Sequence, residues 1–245
     1  MKSETELSLD WMDSARFWIS LVGVIILPSC SLVLFEYVGW WAAIPTWILN
    51  GVVIHSILLD YHETVHETYV GPRWFGKVMG TIYGITSCMP YPTYKLTHLR
   101  GHHAKALTED DLELWPYACP KSSRLFRVLF LIFEITIGYF SKPLVYNRSV
   151  LVCWNSLNKK WKREFFFHYM TMFLFWGSAL ALIYRYNLWI EFWVFYLVPA
   201  NLGANFQNLR MFREHLGLFD SGDLHNTRAV GPKVTKNVVW AYICL

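Results

Sequence analysis

FWISLVGVIILPSCSLVLFEYVGWWAAIPTWILNGVVIHSILL, residues 17–59, decides the fold. It holds two apolar runs, Phe17 to Val38 and Trp40 to Leu59, with Glu36 to Gly39 as the turn between them. Each is long enough to cross a bilayer core, which takes about 20 apolar residues. Phe165 to Ile183 and Trp189 to about Leu202, joined by Arg185 to Asn187, repeat the arrangement later in the chain. The composition agrees: 54% of the 245 residues are hydrophobic, 18% are aromatic and 13 are Trp, too apolar for an ordinary soluble domain. No small-residue cleavage site follows the first run and further spans come after it, so it is not a signal peptide. The reading is an all-α, polytopic membrane protein with about four transmembrane helices in a single domain, residues 1–245.

Two other apolar stretches are ambiguous. Trp74 to Tyr94 is interrupted by Lys77, Ser87 and several glycines and prolines, and Phe126 to Phe140 is short for a span. Cytoplasmic loops carry an excess of Lys and Arg. The densest basic run, Lys159-Lys160-Trp161-Lys162-Arg163, lies on the cytoplasmic side only if neither ambiguous stretch crosses. With the N-terminus inside, residues 60–164 and the end of the fourth span then share the cytoplasmic face. The formal net charge of +4 follows from such loops and gives no support to nucleic-acid binding. The five cysteines are scattered without a CxxC pair and read as free thiols. Asn147-Arg148-Ser149 fits a glycosylation sequon but falls on the wrong side.

Just beyond the second run lies His62-Glu63-Thr64-Val65-His66, and about 30 residues later His98-Leu99-Arg100-Gly101-His102-His103. On an α-helix, residues four apart point the same way. His62/His66 and His98/His102 thus each form a two-nitrogen claw for a metal, with His103 reaching sideways to a second ion. Neutral imidazole is the commonest protein ligand for transition metals and suits iron, zinc and copper. A lone His on an apolar face is usually packing; for His55, packing or support of a ligand from behind is the reading, not ligation. Two claws on one membrane face, with His215 after the fourth span, are not explained that way. The first cluster also satisfies HExxH, in which two His bind zinc and the Glu activates water, with Asp220 as a further ligand. A mononuclear zinc site closes at about four ligands and leaves the second cluster without a use, so two metals are expected.

HETVH, then HLRGHH after an apolar hairpin containing Pro90-Tyr91-Pro92, then Asp110-Asp111, resemble the first two histidine boxes of the integral-membrane fatty acid desaturase and hydroxylase superfamily. Arg213-Glu214-His215 is similar to that family's isolated late His. The resemblance implies a pair of non-haem irons held by His62, His66, His98, His102, His103 and His215. Asp60, Glu63, Glu67 and Arg100 would then orient the imidazoles, as outer partners of metal ligands do. It also implies a lipid or fatty acyl substrate in a tunnel among membrane spans, O2 as oxidant, and insertion of a double bond. The six-residue second box and the Arg-Glu-His-Leu-Gly-Leu motif lean towards the alkane hydroxylases, so hydroxylation or ketolation is the alternative. No dinucleotide fingerprint occurs, so electrons are expected from a separate donor such as cytochrome b5, ferredoxin or rubredoxin, for which the basic run offers a dock. The family's third box, HxxHH, is expected after a segment like Asn226 to Leu245, in a longer protein. A zinc protease and an inactive membrane fragment are the readings outside this chemistry.

Overall fold

A computed structural model describes residues 11–106 and 108–215, with side chains from 17 to 212. Helix α1 (Trp11–Val38) and α2 (Trp40–His66) form the first hairpin, turning at Gly39, whose φ of 86° suits a residue without Cβ. Then come α3 (Arg73–Thr86), α4 (Tyr91–Lys95) running on into a π-helical segment (Leu96–His103), α5 (Arg124–Thr136), α6 (Gly138–Cys153) and α7 (Lys159–Tyr186). A last helical run is built in three pieces: α8 (Trp189–Glu191), a π-helical segment (Phe192–Leu197) and α9 (Val198–His215). The described residues contain no strand.

Among the described residues, three helices are long and apolar enough to cross a membrane: Phe17–Val38, Trp40–His66 and Lys159–Tyr186. Only 6% of the apolar window of α7 is buried by protein, against 39% for α2, so α7 turns its Phe-rich surface to lipid while α2 is the central post. The fourth expected span differs from the other three. Its first half is apolar, but α9 carries Asn201, Asn205, Gln207 and Asn208 against α2 and α6. Gly51 and Gly203 let α2 and α9 meet closely; a Cβ on Gly203 would stand 2.7 Å from Ile54.

Those asparagines have a structural task. Each of the two ambiguous stretches folds into a helical hairpin. Trp176 Nε1, midway along α7, donates to the carbonyl of Ile85 at the tip of α3, and Tyr139 and Tyr196 donate to that of Thr86. Tyr61 donates to the Met89 carbonyl on the return limb. At the tip joining α5 to α6, Asn201 donates to the Thr136 carbonyl at 2.8 Å and Asn205 accepts from Gly138 N–H at 2.8 Å. Irregular backbone at membrane depth is tolerated only where protein satisfies its polar groups. Both stretches thus turn back on themselves, at 87–90 and at Ile137.

Candidate metal centre

The histidine-bearing segments meet at the end of α2. His62 and His66 lie one turn apart, and α2 stops immediately afterwards because Glu67 adopts a left-handed conformation (φ 60°) and its N–H caps Glu63 and Thr64 carbonyls. Facing them is the π-helical segment Leu96–His103. In a π-helix the hydrogen bonds run from i to i+5, so residues five apart are brought into register. The α-helical claw expected for His98/His102 is thereby corrected: His98 pairs with His103, their Nε2 atoms 3.1 Å apart. His66 Nε2 lies 3.2 Å from His62 Nε2 and 3.0 Å from His98 Nε2. Four imidazoles, His62, His66, His98 and His103, each offer a nitrogen within 4.8 Å of the others.

This donor set fits a metal. Nitrogens about 2.1 Å from one ion, at angles of about 90–110°, lie about 3.0–3.4 Å from each other, which matches the three neighbouring pairs given above, at 3.0–3.2 Å. Two of the rings, His98 and His103, are held towards the neutral form that ligation needs. Burial lowers the His98 pKa despite the nearby Glu113, and burial with the neighbouring His98, His102 and His62 pushes His103 down to about 4. His102 stands apart, its ring centroid 5.7 Å from His98 and 5.6 Å from His103. Burial works against its charge, but the hydrogen bond to Asp111 and the charges of Glu113 and Asp111 outweigh that and raise its pKa.

The carboxylates that orient these rings are mostly not those expected from the sequence. Glu113 accepts from His98 Nδ1 at 2.6 Å and from the Tyr146 hydroxyl at 2.7 Å, in a fully packed environment. Asp111 lies 2.9 Å from His102 Nδ1, while its other oxygen accepts from the N–H groups of Glu113 and Leu114, a turn that positions both acids. A partner on Nδ1 fixes the tautomer and aims the Nε2 lone pair. Glu63 does meet an imidazole, at 3.3 Å from His62 Nδ1, and also accepts from Thr68. It is thus on the ring nitrogen opposite the converging Nε2 atoms, the wrong side for the base of an HExxH protease. Glu67 and Arg100 are corrected. Glu67 is exposed and ion-paired to Lys95 at 2.8 Å, and Arg100 lies 4.8 Å over the Trp161 ring. Asp60 and His55 are buried in α2, His55 6.4 Å from the Phe206 ring. The His215 side chain and Asp220 lie outside the described residues.

Glu113 was missed because nothing in Asp110-Asp111-Leu112-Glu113 has a periodicity that points to His98. The Asp110-Asp111 pair itself was a signal. Asp111 answers to it, whereas Asp110 is exposed and pairs with Lys105.

His62, His98 and Glu113 also form part of the wall of a cavity of about 410 Å³. It runs along α2 from His62 back to Asn50, a distance of about 18 Å at 1.5 Å per residue, between apolar side chains including Val24, Val53, Ile54 and Ile57. A volume of this size is typical of a small-molecule site; this elongated lining along α2 is called the slot below.

The described residues thus combine an all-helical domain bearing membrane-crossing candidates with an imidazole cluster in the wall of a largely apolar cavity. The chain belongs to the fatty acid desaturase family, whose model matches residues 38–245. It is 24% identical over 175 residues to the sphingolipid delta(4)-desaturase/C4-monooxygenase of Rattus norvegicus, a match covering 67% of this chain and 51% of that protein. The chain thus spans about half the length of the curated relative it matches.

Proposed function

We propose that this chain is the membrane domain of an O2-dependent oxidoreductase that introduces a double bond into a long lipid chain, with its histidine face towards the cytoplasm. The carrying observation is that His62 and His98 belong at once to the imidazole cluster and to the wall of the slot. A chain lying in the slot is therefore presented to whatever the imidazoles hold. The residues proposed as ligands are His62, His66, His98 and His103, with His102 and His215 completing a pair of irons. Bound there, two irons supply the redox chemistry that turns O2 against an unactivated C–H bond, which zinc, having none, does not. The protein's own part is positional. Glu113 and Asp111 hold Nδ1 protons so that Nε2 is free to ligate, and Tyr146 satisfies the second oxygen of Glu113. Ile54, Ile57 and Leu58 confine the chain and keep water from the reacting carbons. Electrons come from a separate donor protein such as cytochrome b5, ferredoxin or rubredoxin.

Hydroxylation is the second reading, favoured by the relative whose name joins desaturase to monooxygenase. Removal of two neighbouring hydrogens gives the alkene and transfer of oxygen to one carbon gives the alcohol, from the same cavity. Expression in yeast followed by mass spectrometry of lipids separates them. Loss of two hydrogens supports desaturation, and gain of one oxygen supports hydroxylation. Neither change, in cells where the protein carries iron, would refute both.

A further inference from the structure

A second cavity, of about 400 Å³, lies between α3, α4 and α7 and shares no lining residue with the slot. Each of these helices contributes one lysine: Lys77, Lys95 and Lys160. Glu164 is the one carboxylate in the wall. Lys95 is already held by Glu67 at 2.8 Å, whereas neither Lys77 nor Lys160 forms an ion pair among the described residues. The pocket therefore keeps an excess of positive charge directed at one volume.

Its level relative to a bilayer is fixed by the helices that build it. Lys160 is the second residue of α7, a membrane-crossing candidate, and just below it Phe166, Phe167 and Phe173 are exposed. On α3, Trp74, Val78 and Ile82 are exposed alongside Lys77. Lipid-facing apolar surface thus flanks the lysines, with Trp161 in the wall as an aromatic of the interfacial kind. Basic pockets between membrane helices suit phospholipid head groups. We propose that this cavity binds the phosphate of an anionic phospholipid through Lys77 and Lys160, the acyl chains lying along the exposed faces of α3 and α7. This is a built site, distinct from the diffuse attraction of the whole run 159–163. Lys159 and Arg163 belong to that run but not to the cavity wall, and Lys162 lies over the Trp154 ring.

The test compares lipid retention by the full chain in nanodiscs of phosphatidylcholine with and without phosphatidic acid, read by native mass spectrometry. A lysine at the membrane surface contributes a factor of about 5 in affinity for anionic lipid. K77Q/K160Q should thus lose about 30-fold of the preference for phosphatidic acid, while K159Q/R163Q retains it and K77R/K160R keeps most of it. Unchanged retention in K77Q/K160Q would overturn the proposal. So would an equal loss in K159Q/R163Q, which would mean a diffuse anchor. Displacement of the lipid by inorganic phosphate alone at similar concentration would assign the site to a free anion instead. All three double variants alter exposed or half-buried surface side chains, and iron content measured in parallel reports that the fold and the imidazole cluster are intact.

Discussion

Removing the carboxylate of Glu113 is the most direct challenge to the proposed metal centre. In Glu113→Ala, His98 Nδ1 and the Tyr146 hydroxyl both lose a partner inside the protein. Nothing then selects the tautomer that leaves His98 Nε2 unprotonated. Hydrogen bonds to charged groups contribute about 1.5–3 kcal/mol. Loss of such an outer partner costs about 10–100-fold in metal affinity, or about 1.4–2.8 kcal/mol. The two routes to the magnitude agree. Glu113→Gln keeps the shape and can still offer an oxygen to His98, so it should fall at the lower end, about 10-fold. Tyr146→Phe leaves the carboxylate in place and should cost less than either. The assay is iron per chain at equilibrium with a graded series of chelator buffers, in protein purified in detergent. Iron binding by Glu113→Ala within a factor of two of the unmodified chain would refute the assignment of Glu113 and the ligation by His98 that it supports.

Glu67→Gln should leave iron affinity unchanged and cost less than about 1 kcal/mol of stability, as expected for an exposed ion pair; a tenfold loss of iron would return Glu67 to the metal environment. The pH dependence of the metal-free protein follows from the lowered pKa values of His98 and His103. The unfolded chain binds their protons first, so their contribution is full above about pH 6.5 and is lost as pH falls, for His103 towards about 4. His102, with its raised pKa, contributes in the opposite sense, its share being present at low pH and lost as pH rises through its folded value. Melting temperatures across this range check the sign, and a rise on acidification would contradict it. Asn201→Leu removes the donor to the Thr136 carbonyl and should lower stability by about 0.5–1.5 kcal/mol, read by thermal unfolding in detergent. Gly203→Val forces a side chain against Ile54 and should cost about 1–3 kcal/mol; no change in melting would show that α2 and α9 do not meet closely.

The two helical hairpins explain why the last helical run looked like an ordinary span in its first half and not in its second. Asn201, Asn205 and Asn208 are expensive in a membrane, yet each serves the backbone or side chains at the tip of α5 and α6. Trp176 and Tyr196 do the same for the first hairpin. Their partners are 62 to 110 residues away in sequence, for instance Tyr139 with Asn201 and Tyr196 with Thr86.

The sequence by itself determined what depends on local composition and spacing. Runs of about 20 apolar residues specify membrane helices, Lys159 to Arg163 argues for their sidedness, and the two histidine clusters announce a metal, because four residues is one turn of α2. It left the stretches at 74–94 and 126–140 to the charge argument, which favours their not crossing. Tertiary structure decided what depends on contacts between distant segments. The π-helical winding of 96–103 swapped His102 for His103 beside His98, since a change of one residue in hydrogen-bond register rotates every following side chain. Packing of α6 against that segment brought Tyr146 onto Glu113, which holds His98, and Glu67 pairs instead with Lys95. No local pattern encodes these choices, because burial and partner supply, not propensity, select which carboxylate meets which ring.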